Sequence, residues 1–200
     1  MAGLLVTATS YAEILPEAKL GIKIPLTKAP TTRPMTVAYH PALMHYYIAD
    51  GGLAPMGTEW SAPVSKSQVH AFTAEGKYVN SANPGYDNRS IYYNPNTGNI
   101  ETITYNISSE FGFAPNTGMY TLLTTDEGRI KDESEEIMQF HSAFGDGNTM
   151  PTYDAEHDQY FAKQKRSATV FFVSTKEEEP LKKIELDIKS AGAKFDDISD

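Results

Sequence analysis

The chain has 200 residues and no cysteine, so disulfides, thiolate metal sites and cysteine nucleophiles are excluded. Apolar residues make up 40% and charged residues 22%, enough apolar surface to build a core. The formal charge of −9 argues against a phosphate-backbone binder, so no nucleic-acid partner is expected.

No apolar run reaches the length of a membrane span. The first residues, 1–12, combine a short apolar stretch with Ser10-x-Ala12, the small-residue spacing that signal peptidase accepts. Two readings follow: the remnant of a signal peptide, or an ordinary strand at Leu4-Leu5-Val6-Thr7. The first points to a secreted or periplasmic protein, a setting that the lack of cysteine fits without proving. Residues 13–34 read as a strand and linker, in which Leu20 to Leu26 alternates.

From residue 35 the chain repeats. Three eight-residue segments align without gaps, Tyr39 to Tyr46, Tyr93 to Ile100 and Tyr153 to Tyr160. Each has an aromatic, a polar turn-former, a turn, and an apolar or aromatic residue seven positions after the first. Strand-forming residues flank them, which predicts three β-hairpins. A second hairpin follows each. The first runs Gln68–Thr73, a turn at 74–77, then Tyr78–Asn80. The second runs Met119–Leu123, a turn around Asp126-Glu127-Gly128, then a strand at 137–140. The third runs Ala168–Val173, an acidic turn at 176–180, then Leu181 to Ile188. The acidic runs Asp132 to Glu136 and Glu177-Glu178-Glu179 are expected in solvated turns.

The unit is therefore four antiparallel strands repeated three times, over about 35–82, 88–142 and 148–188. The expected fold is all-β and β-propeller-like, with three four-stranded blades plus flanking strands. A β-sandwich of similar strands is the alternative. Three blades do not close a ring, since propellers typically have four to eight. A partial propeller, oligomeric closure with self-association, or an open stack of sheets are the ways this could be resolved.

The segments Thr36-Val37-Ala38-Tyr39-His40-Pro41, Tyr46-Tyr47-Ile48-Ala49-Asp50-Gly51 and Val69 to Lys77 resemble bacterial β-propellers of the NHL, YVTN and lactonase-like kind. The resemblance implies that loops at one end of the blades carry the ligand. Those loops are 51–66, 82–88, 107–117 and 143–148. They contain the candidate ligand-binding residues Trp60, Tyr86, Asp87, Asn88, Phe111, Phe113, Asp146 and Asn148. Trp60 suits stacking on a sugar or a partner, or plugging its own blade. Similarity to lactonases would make Asp87, Asn88, Asp146 and Asn148 oxygen ligands of an axial calcium or other divalent cation. Their residue types equally suit plain turns.

The five histidines form no HExxH, and no G-x-S-x-G or phosphate-binding glycine pattern is present. The expected function is a non-catalytic domain without a cofactor, binding a small molecule, glycan or protein. The alternative is a metal-dependent lactonase or hydrolase.

Overall fold

The computed structural model describes residues 21–24, 34–50, 68–84, 88–104, 119–138, 152–163, 168–177, 179–192 and 194. Among these residues there is no helix, and therefore none long and apolar enough to cross a membrane. The described residues are all-β, built as three four-stranded antiparallel sheets. Sheet 1 contains β1 (Pro34–His40), β2 (His45–Asp50), β3 (Gln68–Thr73) and β4 (Tyr78–Ala82). Sheet 2 contains β5 (Asn88–Asn94), β6 (Asn99–Thr104), β7 (Met119–Thr124) and β8 (Ile130–Met138). Sheet 3 contains β9 (Thr152–Asp154), β10 (Gln159–Lys163), β11 (Thr169–Val173) and β12 (Lys182–Glu185). Within each sheet the strands lie in chain order, as an up-and-down meander. Three consecutive meanders are consistent with a partial propeller-like all-β fold.

The repeat is visible in the backbone. Met44, Gly98 and Asp158 each stand five residues after the anchoring tyrosine, and all have a left-handed φ of 52°, 74° and 50°. That conformation reverses the chain tightly between β1 and β2, β5 and β6, and β9 and β10. The second turns also match. Gly76 N donates to Thr73 O, and Gly128 N donates to Thr125 O, each over 2.8–2.9 Å. Glu75 and Glu127 sit at the same place in these turns, and both carboxyls are held below the usual range, chiefly by a threonine hydroxyl.

Alternation along the strands gives each sheet two faces. One face of sheet 1 (Ala38, Tyr47, Ala49, Val69, Ala71 and Ala82) packs on Ile91, Ile100, Leu122 and Ile130 of sheet 2. Small residues on one side admit large aliphatics from the other, which lets two pleated surfaces close without voids. The opposite face of sheet 2 places Ile103 and Met119 against Tyr160 and Val173 of sheet 3.

One strand differs from expectation. The acidic run 132–136 lies inside β8, which starts at Ile130 directly after the turn. β8 is the outer edge of its sheet, so its exposed carboxylates face water and discourage pairing with another edge. A charge run thus reads as a strand here because only one side of that strand is paired.

Candidate functional site

Three constellations stand out, two polar and one apolar. The first crosses three strands of sheet 1. His70 pairs with Ser81 in register, and Asp50 lies at the neighbouring end of β2. His70 Nδ1 is 2.6 Å from Ser81 Oγ, and Ser81 Oγ is 3.0 Å from the Tyr78 hydroxyl. Asp50 and His70 are buried, Ser81 is half-buried and Tyr78 is exposed. The row therefore leads from a buried carboxylate to the surface. His70 Nε2 lies 3.6 Å from Asp50 Oδ2, beyond hydrogen-bond length. Burial lowers the His70 pKa, against the opposing pull of Asp50. A neutral imidazole is thereby favoured, but the Asp50–His70 gap leaves it without the orienting bond that a nucleophile relay uses.

The second constellation joins sheets 2 and 3. The buried Glu101 carboxylate accepts from Tyr92 OH at 2.7 Å, Asn94 Nδ2 at 3.0 Å and Thr97 Oγ1 at 2.9 Å. With its proton on Glu101, Tyr92 OH accepts from Tyr160 OH, 2.8 Å away. Tyr153 OH lies 2.9 Å from Asn94 Oδ1 and 2.8 Å from Asp158 Oδ1, and it accepts from Asn96 Nδ2 at 2.8 Å. Lys176 Nζ closes the row on Asp158 Oδ2 at 2.8 Å. Burial raises the pKa of Tyr92 and Tyr160 well above the ordinary phenol range, and pushes Tyr153 up to about 12. Glu101 is engaged by three donor residues of its own sheet, and the link to sheet 3 runs from Tyr92 to Tyr160 and from Asn94 and Asn96 to Tyr153.

The third is apolar. On the face of sheet 1 turned away from sheet 2, Ile22, Ile24, Pro34, Met35, Thr36, Val37, Tyr46 and Ile48 line an open groove of about 660 Å³. Val37 is 59% exposed and Met35 and Tyr39 are also exposed. Tyr39 and Tyr46 pack with ring centroids 4.9 Å apart.

Of the eight residues expected from the sequence to bind a ligand, Asn88 is the one the structure describes. It opens β5, is fully buried, and its Oδ1 accepts from Thr102 Oγ1 at 3.0 Å. Trp60, Tyr86, Asp87, Phe111, Phe113, Asp146 and Asn148 lie outside the described residues, as do most of the four loops. Among the described residues no three His, Asp or Glu side chains gather as a metal-ligand group. The sequence reading missed the Glu101 and His70 networks. Their signal was a polar residue in the buried phase of a strand, flanked by apolar residues, as in Ile100-Glu101-Thr102-Ile103.

No protein-family model and no curated protein matches the chain. Among solved structures, a crystal structure of a eukaryotic initiation factor is similar with a TM-score of 0.35 and 13% identity, over 82% of this chain and 34% of that one. That likeness is too slight to carry an argument about fold or function.

Proposed function

We propose that the chain is a non-catalytic binding domain of propeller-like construction, which docks a protein partner on the outer face of sheet 1. The observation that carries this is a comparison of equivalent positions. Ile91, two residues before its anchoring Tyr93, is 4% exposed because sheet 1 covers it. Val37, two residues before Tyr39, is 59% exposed. A contiguous apolar surface at a position built to be covered is the signature of an interaction site. Its openness and apolar lining suit an apolar protein surface better than a small ligand. The Ser10-x-Ala12 spacing supports a secreted or periplasmic setting. The lactonase alternative rests on Asp87, Asn88, Asp146 and Asn148, and of these Asn88 is committed to Thr102.

The test is the binding of an environment-sensitive apolar dye in dilute solution, where the chain is alone. The native chain should bind it, and Val37→Glu should reduce the signal several-fold with an unchanged melting transition. Equal binding by both chains, or none by either, would remove the docking face.

A further inference from the structure

We infer that the docking face of sheet 1 takes an extended protein segment, laid beside residues 21–24 and carrying branched apolar side chains at every second position. The inference rests on the docking reading above and names the kind of partner.

The chain has already seated one such segment there. Residues 21–24 read Gly-Ile-Lys-Ile, and their burial alternates: Ile22 and Ile24 are half-buried, while Gly21 and Lys23 are exposed. That is the period of an extended chain with one side against a surface. Ile22 and Ile24 line the groove together with Pro34 to Val37, Tyr46 and Ile48. They also reach the β3–β4 turn, since a Cβ on Gly76 would stand 2.9 Å from Ile22 Cδ1 and 3.4 Å from Ile24 Cγ1.

The open part of the groove is continuous with that contact. Ile22 and Ile24 line one part of it, and β1 adds Met35 at 44% exposure and Val37 at 59%. The apolar surface therefore runs past the seated segment on to a strand of seven residues, Pro34–His40. A second extended segment lying there would touch the isoleucines on one side and β1 beneath.

The matching faces of the other sheets show what such a surface takes. Ile91 and Ile100 of sheet 2 are covered by strands of sheet 1, and Tyr160 of sheet 3 packs with Ile103 and Met119 in strands of sheet 2. By their distance from the anchoring tyrosines, Ile91 corresponds to Val37, and Ile100 and Tyr160 correspond to Tyr46. Extended chain meets both of these faces. Side chains at every second position suit it, whereas a helix would present its apolar side chains as a stripe of period 3.6.

The test is the binding of two labelled synthetic peptides to the full chain, followed by fluorescence anisotropy. Each has seven residues, to match β1, and the same composition of isoleucine and lysine. One alternates the two residue types, and the other sets the isoleucines at helical spacing. Their equal charge makes any general attraction to the acidic chain the same for both. The alternating peptide should bind about ten-fold more tightly than its isomer. Val37→Glu should remove that binding and Ile22→Ser should weaken it several-fold, with the melting transition retained in each. Ile24→Ser repeats the second substitution should Ile22→Ser lower the melting transition. Equal binding of the two peptides overturns the inference, and so does no binding of either. So does tighter binding of the helical isomer, which means a partner that presents a helix. So does an unchanged affinity in both isoleucine variants, which places the peptide away from residues 21–24. The dye separates these outcomes from failure of the docking reading. If the native chain binds the dye and Val37→Glu loses it, the face still docks a partner of another kind. If Val37→Glu leaves the dye signal unchanged, the docking reading falls as well.

Discussion

The hydroxyl of Tyr47 in sheet 1 donates to the carbonyl of Gly128 in the β7–β8 turn of sheet 2, over 3.0 Å. The turn that sheets 1 and 2 share is thus, in sheet 2, also the clasp between them. Gly128 has a φ of +78°, and a Cβ there would stand 2.8 Å from the ring of His45. Gly128→Ala should therefore destabilise the fold twice over, by about 1–2 kcal/mol for the left-handed backbone and further for the crowded ring. Tyr47→Phe, which loses one hydrogen bond and leaves the carbonyl buried, should cost about 1–3 kcal/mol. Denaturant midpoints of the two variants check both values. If Gly128→Ala melts like the native chain, the turn does not touch sheet 1 as described.

Glu101 fixes the sheet 2 side of the clasp with sheet 3, holding the Tyr92 hydroxyl that meets Tyr160. Glu101→Ala leaves the donors of Tyr92, Asn94 and Thr97 facing a cavity. The expected loss is about 3 kcal/mol or more, since buried donors stripped of a charged acceptor each cost free energy. Proteolysis should then cut sheet 3 away before sheets 1 and 2. Simultaneous loss of all three sheets would show that the array melts as one unit.

The buried phenols set an alkaline limit. Burial raises the pKa of Tyr47 and Tyr153 to about 12, and that of Tyr92 and Tyr160 further. Their folded values lie above the unfolded one, so their contribution is complete below pH ~10 and is lost as pH rises through the folded values. Followed by phenolate absorbance, these four of the 12 tyrosines should stay un-ionised until the β-sheet signal collapses. A smooth ionisation of all 12 before unfolding would contradict their burial.

The histidines set an acid limit of the opposite sense. Burial lowers the pKa of His70 and His40 below 6.5. Their neutral forms are favoured in the fold, so that stability is present above pH ~6.5 and falls as pH drops toward the folded values. The denaturant midpoint should decrease between about pH 7.5 and pH 5. His70→Gln should make that decrease shallower. An unchanged slope in the variant would assign the effect to His40 alone.

Periodicity made eleven of the twelve strands readable, because an aromatic anchor, a turn and an alternating run recur together. It did not show β8, where Asp132 to Glu136 hides a strand under charge. An edge strand is half-paired and half-solvated, so its composition follows water rather than core. The polar networks were equally hidden. Asp50, His70 and Ser81 are 20 and 11 residues apart along the chain and meet only through strand register. The loop residues Trp60, Phe111 and Phe113 were legible as residue types but lie outside the described residues.

Met44, Gly98 and Asp158 occupy one left-handed position with three different side chains. The first hairpin of each unit is therefore set by backbone geometry, with little demand on what fills its bend. The bend of sheet 2 nonetheless carries Asn96, which donates to Tyr153 and Ala155 of sheet 3, so the unit is tied to its neighbour through the residues around the left-handed position and not through that position itself. The burden of substitution falls on the faces between sheets, where the hydroxyls of Tyr92 and Tyr160 meet and a change in either strands the other.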